Sequence, residues 1–228
     1  MLQPIGPGLW LIDGSQITAA AGFHYPTRMA VLRLRDGGLW LWSPVRLTPA
    51  ILEATQALGP VRHIVAPNRL HHMALTDWVH FCPDAHLHAA PGLRAKRADI
   101  AFAGDLVEEP SPDWEGQIDQ VIFPNAIADE VVFFHRDSGT VLFTDLLQQM
   151  PRGWYRGWRR LVAWLDLMTG KEPQVPRKFR MATRDKSAAR AALGQIRAWQ
   201  PQQVVMAHGT PITGNADAFL ARAFAWLD

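Results

Sequence analysis

Three β-type runs, "QIDQVIFP", "EVVFFHR" and "TVLFTDLL", follow one another between residues 117 and 147 with turns between them. The last of these turns is "DSG". A strand cluster of this kind has to be covered by other elements, and the rest of the chain supplies them in an orderly way. Ahead of it, "GLWLID" reads as a strand closed by Gly14, and "RMAVLRLRDGGLWLWSP" reads as a hairpin turning at Asp36-Gly37. Thr48 and Pro49 then start a helix that Gly59 ends, and "VRHIVAP" is a strand stopped by Pro67. "ALTDWVHFC" is helical, "AHLHAA" is a short strand, and residues 90–116 read as irregular. Beyond Asp145 helices dominate: one carrying Trp154, Trp158, Leu161, Leu165 and Met168 at helical spacing, then "DKSAARAALGQIRAW" and "NADAFLARAFAWL". Between these last two lies the strand "QQVVMAHG". Strands with a hairpin, an αβ unit, a strand cluster, then helices around a final strand imply a layered α/β architecture, read as one domain over residues 1–228.

Bulk properties narrow the function classes. At 228 residues the chain is long enough to bury a substantial core, and 48% apolar with 19% charged residues is a globular composition. A net charge of +2 does not point to nucleic acid. A single cysteine, Cys82, excludes an intrachain disulfide and a cysteine-rich zinc site. No secretory leader or spanning apolar run is visible, so a cytoplasmic location is the expectation.

Three β-type runs end in a residue able to bind a metal. "HIVAP" leads into His71 and His72, "TVLFTD" ends at Asp145, and "QQVVMAH" ends at His208. Strand ends are held by the sheet while their side chains stay free at its rim, and α/β proteins build sites there. Two or three histidines with one carboxylate suffice for a transition-metal ion. Each residue also has an ordinary role open to it: solvated loop histidines at 71 and 72, a helix N-cap at Asp145, a turn histidine at His208.

Order and context here resemble the metallo-β-lactamase superfamily, from "GLWLID" to "MAHGTPI". The phrases "LWSPV", "IVAPN…HH", "FFHRDSGTVLFTDLL" and "MAHG" resemble a branch of it labelled only as a domain of unknown function. The resemblance implies an αββα sandwich. It also implies a hydrolase-type metal site, zinc or iron, built where the superfamily places His-x-His-x-Asp-His, a strand-end aspartate and a late histidine. This chain departs from that pattern. Pro67, Asn68 and Arg69 stand where the earlier histidines would be, and Ala126 stands at the middle histidine. His71, His72, Asp145 and His208 remain, enough for at most one ion. An ungapped register, with Asn68 at the first histidine, His72 at the aspartate and Met73 at the last histidine, gives a poorer ligand set.

Two functions follow. One is a metal-assisted hydrolase of an ester, lactone or related bond in a small molecule, with Asp145 and His72 at the reacting centre and Asn68, Trp154 and Trp158 contacting substrate. The other is a non-catalytic ligand- or partner-binding descendant whose metal site has decayed or become structural. A Trp/Arg-rich helical insertion at about residues 150–182 has three readings: a helix packed on the core, a lid over an anionic apolar substrate, or a peripheral membrane contact.

Overall fold

The computed structural model describes residues 2–228. Its first sheet has seven strands in spatial order β1 to β7: β1 (Gln3–Gly6), β2 (Leu9–Thr18), β3 (His24–Arg33), β4 (Leu39–Trp42), β5 (Val61–Ala66), β6 (His86–Ala89) and β7 (Gly104–Asp105). The first four pair antiparallel; β4 to β7 pair in parallel. Helix α1 (Pro49–Gln56) makes the crossover from β4 to β5, and α2 (Leu75–Phe81) and α3 (Leu93–Lys96) follow β5 and β6. Thr48 caps α1 through a bond from Ile51 N to Thr48 Oγ1, with Pro49 at the first helical position.

The second sheet runs β12-β11-β10-β9-β8 and holds the strand cluster: β8 (Ile118–Phe123), β9 (Glu130–His135), β10 (Thr140–Gln148), β11 (Gln203–His208) and β12 (Ile212–Thr213). Helices α4 (Trp158–Leu165), α5 (Arg177–Ala182) and α6 (Lys186–Ala198) connect β10 to β11, and α7 (Ala216–Ala223) closes the chain. The antiparallel β3–β4 pair is the hairpin expected from "RDGG", with Gly37 at φ 84° in its turn.

Strand β9 shows why the two sheets stack. Its sequence "EVVFFH" is buried at every position. Val131 and Phe133 pack between the sheets with Leu11, Trp40 and Val65, whereas Val132 and Phe134 pack under the helices with Ala192 and Ile196. A strand covered on both faces loses the alternation of polar and apolar residues. The far face of the first sheet is covered in turn, with Val31, Leu41 and Ile64 against Leu75, Trp78 and Leu93. The result is a helix–sheet–sheet–helix sandwich.

Three local expectations give way. Gly14 does not close β2, which continues to Thr18 through an irregularity in its pairing with β3. A Cβ at Gly14 would lie 2.4 Å from Thr27 Oγ1 and 2.6 Å from Val45, so the glycine permits a close approach within the strand. Residues 90–116, read as irregular, hold α3 and the short edge strand β7. The long helix expected from Trp154 to Met168 shrinks to α4, because Gly153 and Gly157 take positive φ before it and Leu167 does so after it. Its apolar stripe is not core. Trp158, Leu161, Trp164 and Leu165 are exposed, and only Ala163 in this helix is buried.

Candidate metal centre

Strand β5 delivers the chain to Asn68 at one rim of the sandwich. The Asn68 Oδ1 accepts from the backbone N–H groups of Leu70 and His71 at 2.8 and 3.1 Å, winding the loop into a tight turn. This turn aims the His71 ring at Asp145. Asp145 lies where β10 departs from regular pairing, since the β10–β11 register shifts between Phe143 and Gln148. The backbone N–H groups freed there go to one carboxylate: Glu130 accepts from Thr144, Asp145 and Leu146 at 2.7, 2.8 and 3.1 Å. His208 ends β11, its carbonyl accepts from Gln149 N at 2.7 Å, and Arg28 donates to the carbonyls of Met206 and Gly209 on either side.

His71, Asp145 and His208 converge, each offering a ligand atom within 4.8 Å of the others. Both imidazoles are held by Nδ1 and present Nε2 to the carboxylate. His71 Nδ1 bonds to Ser43 Oγ at 2.7 Å, and His208 Nδ1 donates to the Pro26 carbonyl at 2.6 Å. The Nε2 atoms lie 3.2 Å and 3.5 Å from Asp145 Oδ2 and Oδ1. Because a carbonyl can only accept, His208 Nδ1 carries a proton, and in the neutral ring Nε2 is then the lone-pair atom. Such Nδ1 anchoring is what orients histidine ligands in metal sites. The donor set therefore fits one dication.

Burial pushes the Asp145 carboxyl up, but the charges and hydrogen bonds of His71 and His208 outweigh it and hold the group well below the ordinary carboxylate range. Burial, then the Asp145 charge, raises Glu130 to about 7 against the pull of its three N–H donors. On the remaining side of Asp145, Asn68 Nδ2 donates to Oδ2 at 2.8 Å and Gln148 Nε2 reaches Oδ1 at 3.3 Å.

The other expected residues lie elsewhere or play other parts. His72 does not join the three: its Nδ1 faces Arg97 Nη1 at 3.3 Å and its carbonyl accepts from the same guanidinium. Adjacent loop residues point apart, and Arg97, itself paired with Asp99, claims the second ring. Burial, with the Lys96 and Arg97 charges, pushes the His72 pKa down. Asn68 is fully buried, so it holds the turn and Asp145 rather than touching substrate. Trp154 packs on His24 and donates to its carbonyl at 2.8 Å; Trp158 packs edge-on to Phe23. Neither borders the cavity at the site. Ala126 and Ile127, in the loop of the missing histidine, accept through their carbonyls from Arg69.

That cavity has a volume of about 660 Å³ and is bordered by His71, Asp145, Gln148 and His208, with Tyr25 and Lys178 among its walls. Lys178 pairs with Asp166 at 3.2 Å and donates to Tyr25 Oη at 3.4 Å. Burial works against its charge, but Tyr25 and Asp166 prevail and hold its pKa above the ordinary value. Gln148 is buried, with its Nε2 bonded to the Asp145 carbonyl and Oε1 left without a partner. Sequence reading passed over Ser43 and Gln148, and counted Lys178 only among the positive charges of the Trp/Arg-rich segment. For Ser43 a signal existed: a serine before proline directly after the apolar strand "LWLW", where the backbone reverses at φ 52°.

Two stacked sheets flanked by helices, with histidine, aspartate and histidine at one rim, define a metallo-β-lactamase fold. Solved structures agree. The Flv1 flavodiiron core from Synechocystis sp. PCC6803 matches with TM-score 0.70 at 11% identity, over all of this chain, which spans 60% of that one. The metallo-β-lactamase from Pontibacter korlensis matches with TM-score 0.66 at 14% identity, over 100% of this chain and 98% of that one. The metallo-β-lactamase FIM-1 from Pseudomonas aeruginosa, in its mono-zinc form, matches with TM-score 0.64 at 16% identity, over 100% and 94%. No curated protein matches the chain in sequence. Within this fold the chain belongs to the DUF4336 family, a domain of unknown function, whose model matches residues 8–156. The matched span includes His71 and Asp145; His208 lies outside it.

Proposed function

We propose that this chain is a mononuclear metal-dependent hydrolase of a small molecule, with His71, Asp145 and His208 holding one zinc or iron ion and an ester, lactone or related bond as target. The observation that carries this reading is the paired anchoring of His71 and His208, whose Nδ1 atoms are both committed to the protein while both Nε2 atoms meet one carboxylate. Three protein ligands leave a coordination position open, as catalytic rather than structural sites do. A bound ion would supply Lewis acidity toward the substrate oxygen and toward water. Asn68 donates to Asp145 Oδ2 and so takes up a lone pair of that carboxylate, which favours one ion over two.

The chain's own groups supply the rest. Gln148 borders the cavity and holds Asp145 in place, its Nε2 donating to the Asp145 carbonyl and reaching Oδ1. Lys178, paired with Asp166 and bonded to Tyr25, puts a hydrogen-bond donor in the cavity wall, suited to a polar substituent remote from the cleaved bond. No helix among the described residues is long and apolar enough to cross a membrane. The exposed Trp158, Leu161 and Trp164 beside Arg156 and Arg160 suit peripheral contact with an anionic surface.

Protein purified without added metal should carry zinc or iron that is lost in His208→Ala. Hydrolysis across a panel of esters, lactones and phosphodiesters should fall at least about 100-fold in the same variant. A folded wild type that takes up no metal at this site after loading would leave only the ligand-binding reading.

A further inference from the structure

The opposite end of the parallel strands holds a second cluster of imidazole and carboxylate groups, which the hydrolase reading does not use. His63 on β5 and His86 on β6 are direct neighbours in the strand register. Their rings stand edge to face with centroids 5.7 Å apart. Asp113 comes from the turn ahead of β8, and the ligand atoms of His63, His86 and Asp113 all lie within 4.8 Å of one another. We propose that His63, His86 and Asp113 form a second transition-metal site, taking a first-row dication such as Zn²⁺.

Chemistry and support both fit. Two imidazoles and one carboxylate suit zinc and its neighbours, and are too poor in oxygen for calcium or magnesium. Donors bound at about 2.1 Å to a tetrahedral ion stand roughly 3.4 Å apart, so side-chain rotations alone can close the cluster. His63 is oriented from behind: its Nδ1 lies 3.2 Å from His88 Nε2, leaving Nε2 for an ion. Trp114 packs against both rings, at 5.3 Å from His63 and 4.8 Å from His88, and its burial fixes the turn that carries Asp113. Trp114 N and Glu115 N both donate to the Ser111 carbonyl and close that turn. His86 and Asp113 are exposed, so the site has open access and room for water to complete the coordination.

The ion would join two parts of the molecule. His63 and His86 belong to the first sheet, while Asp113 sits on the segment leading into β8 of the second. A metal here acts as a staple between sheets, and its binding free energy adds to folding stability.

The test is zinc titration of the full, chelator-treated chain by calorimetry, with His86→Ala and Asp113→Asn as variants. Both positions are exposed, so both variants should fold. Each should bind one equivalent fewer than wild type, and the rise in Tm at saturating zinc should shrink in both. His80→Ala, at an exposed histidine elsewhere, should match wild type. Unchanged stoichiometry in His86→Ala overturns the proposal, as does a loss in His86→Ala that Asp113→Asn does not share. The equivalent lost in His208→Ala is a separate one, so failure at either site is visible independently of the other.

Discussion

Asn68 and Glu130 fix Asp145 from two sides, and neither shares its apparent chemistry. Asn68 ties the His71 turn to the carboxylate, donating to Thr144 and Asp145 and accepting from Leu70 and His71. Glu130 takes up three N–H groups that no strand pairs. Leaving buried donors unsatisfied costs about 1–3 kcal/mol each. Glu130→Ala should therefore destabilise by about 3–5 kcal/mol and Glu130→Gln, which keeps an acceptor, by about 1–2. Asn68→Ala should cost about 2–4 kcal/mol and also weaken zinc or iron binding at His208, ten- to a hundredfold. Urea unfolding with an unchanged m-value, together with metal titration, reads both. Equal losses in the two Glu130 variants would contradict its role as an acceptor for the bulged backbone. Sequence reading drew attention to His71, Asp145 and His208 because Asp145 and His208 end apolar runs and His71 lies shortly after one. It set Asn68 against substrate and gave Glu130 no structural role, because their partner Thr144 lies 76 and 14 positions away and is set by sheet pairing. Nor could it separate His71 from His72, since only the position of Arg97 across the loop decides which ring turns to the rim.

At the scale of elements, apolar β-type composition located the strands of the cluster, and "EVVFFH" and "TVLFTDLL" are strands for the reason that composition suggests. The same reasoning left the stripe after Asp145 open between core, lid and surface. Periodicity reports an amphipathic helix without saying what covers its apolar side, and α4 turns that side outward. The anchoring in this region comes instead from the approach to α4. Tyr155 donates to the His24 carbonyl at 2.8 Å, and Met150, Tyr155 and Ala163 pack with Met168, Phe23 and Tyr25. Substituting Leu161 and Trp164 together by serine should consequently change folding stability by less than about 1 kcal/mol, within the range of exposed positions. Tyr155→Ala should cost several times more, about 3–4 kcal/mol, through the lost packing and hydrogen bond. Thermal unfolding of the three proteins checks the contrast. If the double serine variant melted as early as Tyr155→Ala, the outward orientation of α4 would be wrong.

For the molecule as a whole, acid sensitivity follows from histidines whose burial in the sandwich outweighs the pull of the acidic groups near them. His135, at the end of β9, is buried, and burial pushes its pKa down while Asp137 only partly opposes this. Its Nδ1 lies 2.8 Å from Ser138 Oγ, and that hydroxyl spends its own proton on Thr140 Oγ1. The neutral ring thus donates through Nδ1 and has no anionic partner for a second proton. His63 and His88 are shifted the same way by burial, His88 to about 4. In the unfolded chain each of these rings titrates near 6.5. Between that value and the depressed native one, the unfolded state binds more protons than the native state, so stability rises with pH there and falls on acidification. Well above pH ~6.5 both states are neutral at these rings and the dependence vanishes. One such proton contributes at most about 1.4 kcal/mol per pH unit. Urea unfolding in a chelator at pH 7.5 and 5.5 should show a loss in wild type that is smaller in His135→Gln, by no more than about 1.4 kcal/mol, because that variant keeps a donor toward Ser138 and cannot take up the proton. Equal losses in the two proteins would mean that His135 is protonated as readily in the folded chain as in the unfolded one, contrary to the cost of charging a buried ring bonded to Ser138.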